Sequence, residues 1–150
     1  MTSPPQVVEL ESVPGWVVFD LPGAQVSAGG TRLAPDVSMA EVALLARAMT
    51  YKFAALRQRV GGAKAGLRAD PGDHAGRDAA MARYCAEIRP MADAGQFLTG
   101  PDMGTSEEDF ATLRAHRAAP SAISAVVDGV PFEDVLTGYG VAVAAEAALG

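Results

Sequence analysis

Two lysines, Lys52 and Lys64, are the residues of this chain whose type is hardest to assign to ordinary surface work. Of the 12 basic residues among its 150, ten are arginine, so guanidinium groups have taken over the usual role of exposed cation. A lysine amine shifts its pKa readily when buried, which suits it to acid–base and carbonyl chemistry, whereas a guanidinium stays charged. Residues 41–70 hold Arg47, Lys52, Arg57, Arg59, Lys64 and Arg68 against only Glu41 and Asp70, in a chain of net charge -6. A local positive field in an acidic protein favours a small anion such as a carboxylate over a polyanion. Lys64 lies in Gly61-Gly62-Ala63-Lys64-Ala65-Gly66-Leu67, which reads as a glycine-rich loop. A third candidate, Asp102, falls in Pro101-Asp102-Met103-Gly104. That tetrapeptide is also a good turn, so its type alone leaves a structural role open.

The elements that must position these groups follow from pattern. Residues 1–14 are rich in proline and polar residues and read as an N-terminal arm or edge. Trp16 to Leu21 is short, β-branched and aromatic and is followed by Pro22-Gly23, so a strand is expected there. A second extended piece runs from Ala24 to Leu33, and its adjacent Gly29 and Gly30 mark close approach of the backbone to a bulge or a ligand. Ser38-Met39-Ala40-Glu41 is a capping box, and Val42, Leu45, Ala46 and Met49 recur at helical spacing. That helix should run to about Leu56 and deliver Lys52 near its C-terminal end. Beyond the Asp70-Pro71-Gly72 turn, a second helix fits Arg77 to Ile88, and a short strand from Phe97 should end in a turn presenting Asp102. A third helix opens at Thr105 or Ser106, with Glu107, Glu108 and Asp109 where acidic groups suit the helix dipole. A final helix spans about Gly138 to Leu149. Alternating strands and helices indicate a single α/β domain whose mixed, partly parallel sheet is flanked by helices. The expected organisation is an arm over 1–14, the domain over 15–136 and a C-terminal helix over 137–150.

Composition excludes several function classes. An acidic chain lacks the basic face that nucleic acid requires. Neither a signal-like start nor an apolar run near the ~20 residues of a membrane span is present, so no export and no membrane insertion are expected. The single cysteine, Cys85, permits no internal disulfide and suits a cytoplasmic protein. It reads as a small buried hydrophobe. His74 and His116 lack metal-ligand spacing and read as solvated. Trp16 reads as core or interface packing, and Arg32 either bonds the Lys64 segment or pairs with an acidic neighbour.

Taken together, Gly29-Gly30-Thr31-Arg32, Met49-Thr50-Tyr51-Lys52, Gly61-Gly62-Ala63-Lys64-Ala65-Gly66 with Asp70-Pro71, Pro101-Asp102-Met103-Gly104-Thr105 and Thr137-Gly138-Tyr139-Gly140-Val141 form an ordered series. The series resembles the N-terminal half of the glutamate/leucine/phenylalanine/valine dehydrogenase superfamily, down to the twelve-residue step between the lysines. The resemblance implies oxidative deamination of an amino acid, or reductive amination of its 2-oxo acid. Lys52 would then bind the substrate α-carboxylate. Lys64, kept partly neutral by desolvation and nearby positive charge, would assist addition of water to the imine, and Asp102 would exchange protons with the amino group. Gly29, Gly30, Met49, Gly61 and Gly62 would line the substrate, with the glycines letting backbone approach it closely. Thr137 would touch the nicotinamide.

Departures from the family pattern carry their own implications. Ala28 stands where glutamate-specific members have lysine, which implies the leucine/valine/phenylalanine branch and a hydrophobic substrate. Ala63 and Ala65 replace residues that are usually or often glycine. The family's NAD(P) is held by a doubly wound domain opening with a strand and a Gly-x-Gly-x-x-Gly turn. Gly138-Tyr139-Gly140 has no clear strand before it, so NAD(P) is expected only through a separate partner domain or polypeptide. The chain itself is expected to form a homo-oligomer. Two other functions fit the same residues: a cofactor-free lyase, cyclase or isomerase using the lysine/aspartate site, and a non-catalytic binding or regulatory subunit.

Overall fold

A computed structural model describes residues 3–114 and 126–149. The chain divides into two units, Met1–Ala115 and His116–Gly150. The first holds a five-stranded sheet built from β1 (Gln6–Glu9), β2 (Gly15–Phe19), β3 (Ser27–Leu33), β4 (Gly61–Leu67) and β5 (Phe97–Pro101) in the order β1-β2-β4-β3-β5. The pairs β1/β2 and β2/β4 are antiparallel, while β4/β3 and β3/β5 are parallel. Each parallel step is made by a crossover helix: α1 (Met39–Ala55) joins β3 to β4, and α2 (His74–Asp93) joins β4 to β5. A 3₁₀ turn at Glu107–Phe110 and a short α3 (Ala111–Arg114) follow β5. In the second unit a hairpin of β6 (Val126–Val127) and β7 (Val130–Pro131) turns at Asp128 and Gly129, both at positive φ, and leads into α4 (Phe132–Leu149).

The two helices cover opposite faces of the sheet, and strand alternation divides the apolar side chains between them. On the α2 face Val17, Leu33, Ala63, Ala65, Leu67 and Phe97 pack with Met81, Tyr84, Ile88 and Phe110. Phe19 meets Phe97 edge to face, ring centroids 5.7 Å apart. On the α1 face Val18, Val37, Val42 and Ala46 form a smaller cluster.

The largest departure from the sequence expectation is at residues 61–67. The glycine-rich run is not a loop but the central strand β4, buried along its whole length between β2 and β3. Glycine and alanine are poor strand formers by propensity, yet tertiary packing demands them here. A Cβ on Gly62 would collide with Ala46 O and with the backbone and hydroxyl of Thr50, and one on Gly66 would strike Val42 Cγ2. Small residues therefore let α1 lie directly on the strand. These two glycines make room for a helix, whereas the sequence suggested room for a ligand.

Element ends also move. Helix α2 starts three residues before Arg77 because Asp73 accepts the Gly76 N–H at 3.1 Å as its N-cap. It continues through Pro90 to Asp93 and is followed by Gly95 at positive φ, the usual way to terminate a helix. The arm is an edge strand, and the β1–β2 turn is held by Glu87 of α2, which accepts the Glu11 and Ser12 N–H groups at 2.8 and 3.0 Å. Helix α4 begins at Phe132, so Gly138 and Gly140 lie inside it.

Candidate functional site

Because β4 alternates, Ala63, Ala65 and Leu67 face α2 while Lys64 faces the α1 side with Gly62 and Gly66. Helix α1 sits over β2 and β4 but leaves the neighbouring β3 half uncovered. Along β3, buried residues alternate with partly exposed ones, and the partly exposed set is Ala28, Gly30 and Arg32. On this open part of the face the floor is made by Ala28, which pairs with Leu98, and by Gly30, which pairs with Gly100. A Cβ on Gly100 would meet nothing within 4 Å, so the floor is a shelf without side chains there.

Lys64 and Asp102 meet at the edge of that shelf. The Lys64 side chain is 9% exposed and its ammonium contacts Asp102 Oδ2. Gly30 lies beneath the pair, since a Cβ there would come 2.7 Å from Pro101 O, 3.1 Å from Asp102 Cβ and 3.4 Å from Lys64 Nζ. Arg32 completes the cluster: Nη1 donates to Glu41 Oε1 of α1 at 2.6 Å, and Nε stands 3.5 Å from Asp102 Oδ2. Of the two expectations for Arg32, the structure shows pairing with acidic neighbours, Glu41 and, at longer range, Asp102.

The electrostatics of Asp102 follow from these neighbours. Burial alone would raise its carboxyl, but the Lys64 ammonium, the Met103 N–H and the charge of Arg32 outweigh it and hold the carboxyl below the usual carboxylate range. Asp102 is thus an ionised acceptor at neutral pH. The immediate charged neighbour of Lys64 is this carboxylate, where the sequence suggested nearby positive charge.

The turn carrying Asp102 is built to be rigid. The Thr105 hydroxyl accepts the Asp102 N–H at 2.9 Å and also reaches Thr31 O of β3 at 2.9 Å. Gly104 takes positive φ and lies so close to Leu33 O that no side chain fits. The Leu33 N–H donates to Met103 O at 2.9 Å. Arg77 of α2 braces the turn from behind through Gly104 O at 3.3 Å and through Asp109, which also accepts the Ser106 N–H at 2.6 Å. Beneath the shelf, on the α2 face, the Thr31 hydroxyl bonds Tyr84 at 2.7 Å and Thr99 at 2.8 Å, locking β3 to β5. Burial pushes the Tyr84 hydroxyl far above the ordinary phenol range, so it stays protonated.

Lys52 and Met49 are placed by α1. At 100° per residue they share the flank that carries Glu41 and Leu45, the side turned toward β3. Lys52 is exposed, and Met49 is partly buried. The opposite flank is structural: Arg47 Nε bonds the buried Asp20 at 2.5 Å and Thr50 donates to the same carboxylate at 2.6 Å while accepting the Gly62 N–H at 3.1 Å. Gly29, Gly61 and Gly62 are all tightly packed, against Ala63 O, the Ser27 and Ala24 side chains, and α1 respectively, and of the glycines expected at a ligand only Gly30 adjoins Lys64 and Asp102.

Several contributors escaped the sequence reading. Tyr84 and Thr99 are ordinary core or strand residues by type, Thr105 entered only as the end of a motif and a helix start, and Asp20 closes a strand pattern as a lone acid. Only the capping-box Glu41 had a local signal, and that signal concerned the helix. Of the residues set aside, Cys85 is buried in the α2 face, and burial first, then the nearby Asp109 charge, push its thiol up to about 11. Trp16 packs against the α1-face cluster with the Arg68 guanidinium 4.8 Å from its ring centroid. His74 is the exposed first residue of α2, and His116 lies outside the described residues. Among the described residues no cluster of potential metal ligands occurs, and no helix is long and apolar enough to cross a membrane. Thr137 and Gly138-Tyr139-Gly140 sit within α4, and Gly138-Tyr139-Gly140, inside a continuous helix, is not the strand–turn–helix that cradles a pyrophosphate.

Residues 9–118 match the sequence family described as Glu/Leu/Phe/Val dehydrogenase, dimerisation domain. Over 90 residues, 57% of this chain and 18% of the relative, the sequence is 37% identical to a mitochondrial glutamate dehydrogenase of Dictyostelium discoideum. It is also 37% identical over 86 residues to a phenylalanine dehydrogenase of Lysinibacillus sphaericus, covering 55% of this chain and 22% of that one. A crystal structure of a hetero-hexameric glutamate dehydrogenase from Thermus thermophilus, in its Leu-bound form, superposes with a TM-score of 0.61 at 27% identity, covering 74% of this chain and 28% of that one. The chain spans under a third of the length of each.

Proposed function

The chain belongs to the Glu/Leu/Phe/Val dehydrogenase family, and from that premise we propose that it forms the substrate-binding and subunit-pairing part of an amino-acid dehydrogenase acting on a hydrophobic amino acid and its 2-oxo acid. The observation that carries the reading is the Lys64–Asp102 contact at the rim of a shelf floored by Gly30 and Gly100, with Lys52 on the flanking helix. Three cations, Lys52, Lys64 and Arg32, face two carboxylates, Asp102 and Glu41, which leaves one positive charge for a substrate carboxylate.

In this reading the Lys52 ammonium anchors the α-carboxylate. Asp102, ionised and pointed at the shelf edge, accepts a proton from the substrate amino group, and Lys64 positions water for addition at the α-carbon. An ammonium held against a carboxylate is a poor nucleophile, so acid–base work is favoured over Schiff-base formation at Lys64. Borohydride with a 2-oxo acid should accordingly leave Lys64 unmodified by mass spectrometry. A nicotinamide dinucleotide supplies the hydride exchange when bound, and we place its site outside the residues described.

The hydrophobic assignment rests on the shelf itself. Ala28 and Leu98 continue it beyond Gly30 and Gly100, offering apolar surface and no cation for a second carboxylate. Calorimetry tests both parts. The chain should bind 4-methyl-2-oxopentanoate more tightly than 2-oxoglutarate, and Lys52→Ala should weaken the former about tenfold, roughly 1.4 kcal/mol. Equal affinity in Lys52→Ala removes the carboxylate anchor, and a preference for 2-oxoglutarate removes the hydrophobic branch. Subunit pairing predicts self-association, and light scattering that finds a monomer at high concentration contradicts it.

A further inference from the structure

We infer that Arg32 is a positioning residue for Asp102: its guanidinium, clamped at the far end by Glu41, fixes the direction in which the Asp102 carboxylate meets Lys64 and thereby ties that carboxylate to the helix carrying Lys52. The inference rests on the reading of Lys64 and Asp102 as the reacting pair. Arg32 Nε is buried and makes no hydrogen bond among the described residues, yet it faces Asp102 Oδ2 at 3.5 Å. Buried guanidinium donors are normally satisfied, and an unsatisfied one beside a reactive carboxylate is an anomaly that calls for a reason. A surface arginine serving only Glu41 would have no need to turn Nε inward. Arg32 is held there from two sides, by the 2.6 Å bond to Glu41 and by its place on β3 between Gly30 and the Leu33 that anchors the Asp102 turn.

The arrangement makes a continuous line of alternating charge: Glu41 of α1, Arg32 of β3, Asp102 after β5 and Lys64 of β4. Among the described residues no other ionised side chain contacts Asp102, and Arg77 of α2 reaches the same turn through the Gly104 carbonyl and through Asp109. A rigid fork is required for this task, since one edge must hold Glu41 while Nε looks at Asp102, and a lysine cannot do both. When Lys64 moves toward a substrate atom, Arg32 Nε is the donor ready to close on the carboxylate that Lys64 leaves.

The test is a carbon-detected NMR titration of the Asp102 carboxyl in the full chain, with folding checked by amide dispersion. Arg32→Met should raise the Asp102 midpoint by roughly one pH unit, the low end of what a cation within about 4–6 Å supplies. Arg32→Lys, which keeps the charge but cannot bridge both carboxylates, should raise it less, and it decides the matter if Arg32→Met does not fold. A midpoint unchanged in either folded variant overturns the inference and leaves Arg32 as a partner of Glu41 alone. Calorimetry with 4-methyl-2-oxopentanoate separates the two layers. If Lys52 and Lys64 variants lose binding while the Asp102 midpoint ignores Arg32, only the positioning role falls; if the midpoint moves but no 2-oxo acid binds, the positioning role stands and the dehydrogenase reading falls.

Discussion

The two faces of the sheet use the same strands for opposite purposes. On the α2 face the inward side chains of β3 and β4 are buried together with Phe97 of β5, and the Thr31 hydroxyl bonds those of Tyr84 and Thr99. On the α1 face the helix lies mainly over β2 and β4, and the strip over β3 and β5 carries glycines rimmed by Lys64, Asp102 and Arg32. Strand alternation lets neighbours one residue apart belong to these two worlds: Thr31 locks the sheet from below while Gly30 and Arg32 serve the site above. The closed face therefore sets where the strands lie, and the open face uses that fixed frame to bring together groups from four elements.

Substitutions can break the contrast in either direction. The largest expected effect is on the closed face: Phe97→Ala should cost about 3–5 kcal/mol in chemical denaturation, because a fully buried ring is replaced by a cavity. Its binding of a 2-oxo acid, measured where the variant is still folded, should change little. Lys64→Met should behave oppositely. Affinity for 4-methyl-2-oxopentanoate should fall about tenfold while stability drops only about 1 kcal/mol, since Asp102 keeps Arg32 and partial solvent access.

Tyr84→Phe sharpens the comparison because it removes one oxygen from the closed face directly below the site. A loss of about 1 kcal/mol is expected, with Thr31 and Thr99 still bonded to each other. Acid dependence gives the smallest effect. The Asp102 carboxyl is depressed in the folded chain, so its contribution to stability is complete above the unfolded value of about 3.9 and is lost as pH falls through the folded one. The stability gap between the wild type and Lys64→Met, followed by urea denaturation, should narrow below about pH 4.

Much of the site was legible in type and order but not in placement. Lys52, Lys64 and Asp102 stood out because lysine is scarce and the motifs recur in a family's order. The α/β class followed from alternating patterns, and the observed mixed sheet agrees with it. What failed was local propensity at residues 61–67, where a run of glycine and alanine read as a loop forms the central strand. Only the presence of α1 above Gly62 and Gly66 explains the composition, and that is a contact between segments distant in sequence. Arg32 could be named but not assigned, because its partners Glu41 and Asp102 lie nine and seventy residues away. Tyr84 and Thr99 had no signal at all, since a hydroxyl that satisfies another hydroxyl looks like any other core or strand residue until the strands are paired.

The central claim is that the α1-face shelf is where a 2-oxo acid binds. Amide NMR of the full chain titrated with 4-methyl-2-oxopentanoate tests it most directly. Saturable shifts are expected at Gly30, Arg32, Lys64, Gly100 and Asp102 and in the Met49–Lys52 turn of α1, with the amides of α2 around Tyr84 unmoved. Shifts centred on α2 or on α4, or no saturable shift at millimolar ligand, would contradict it.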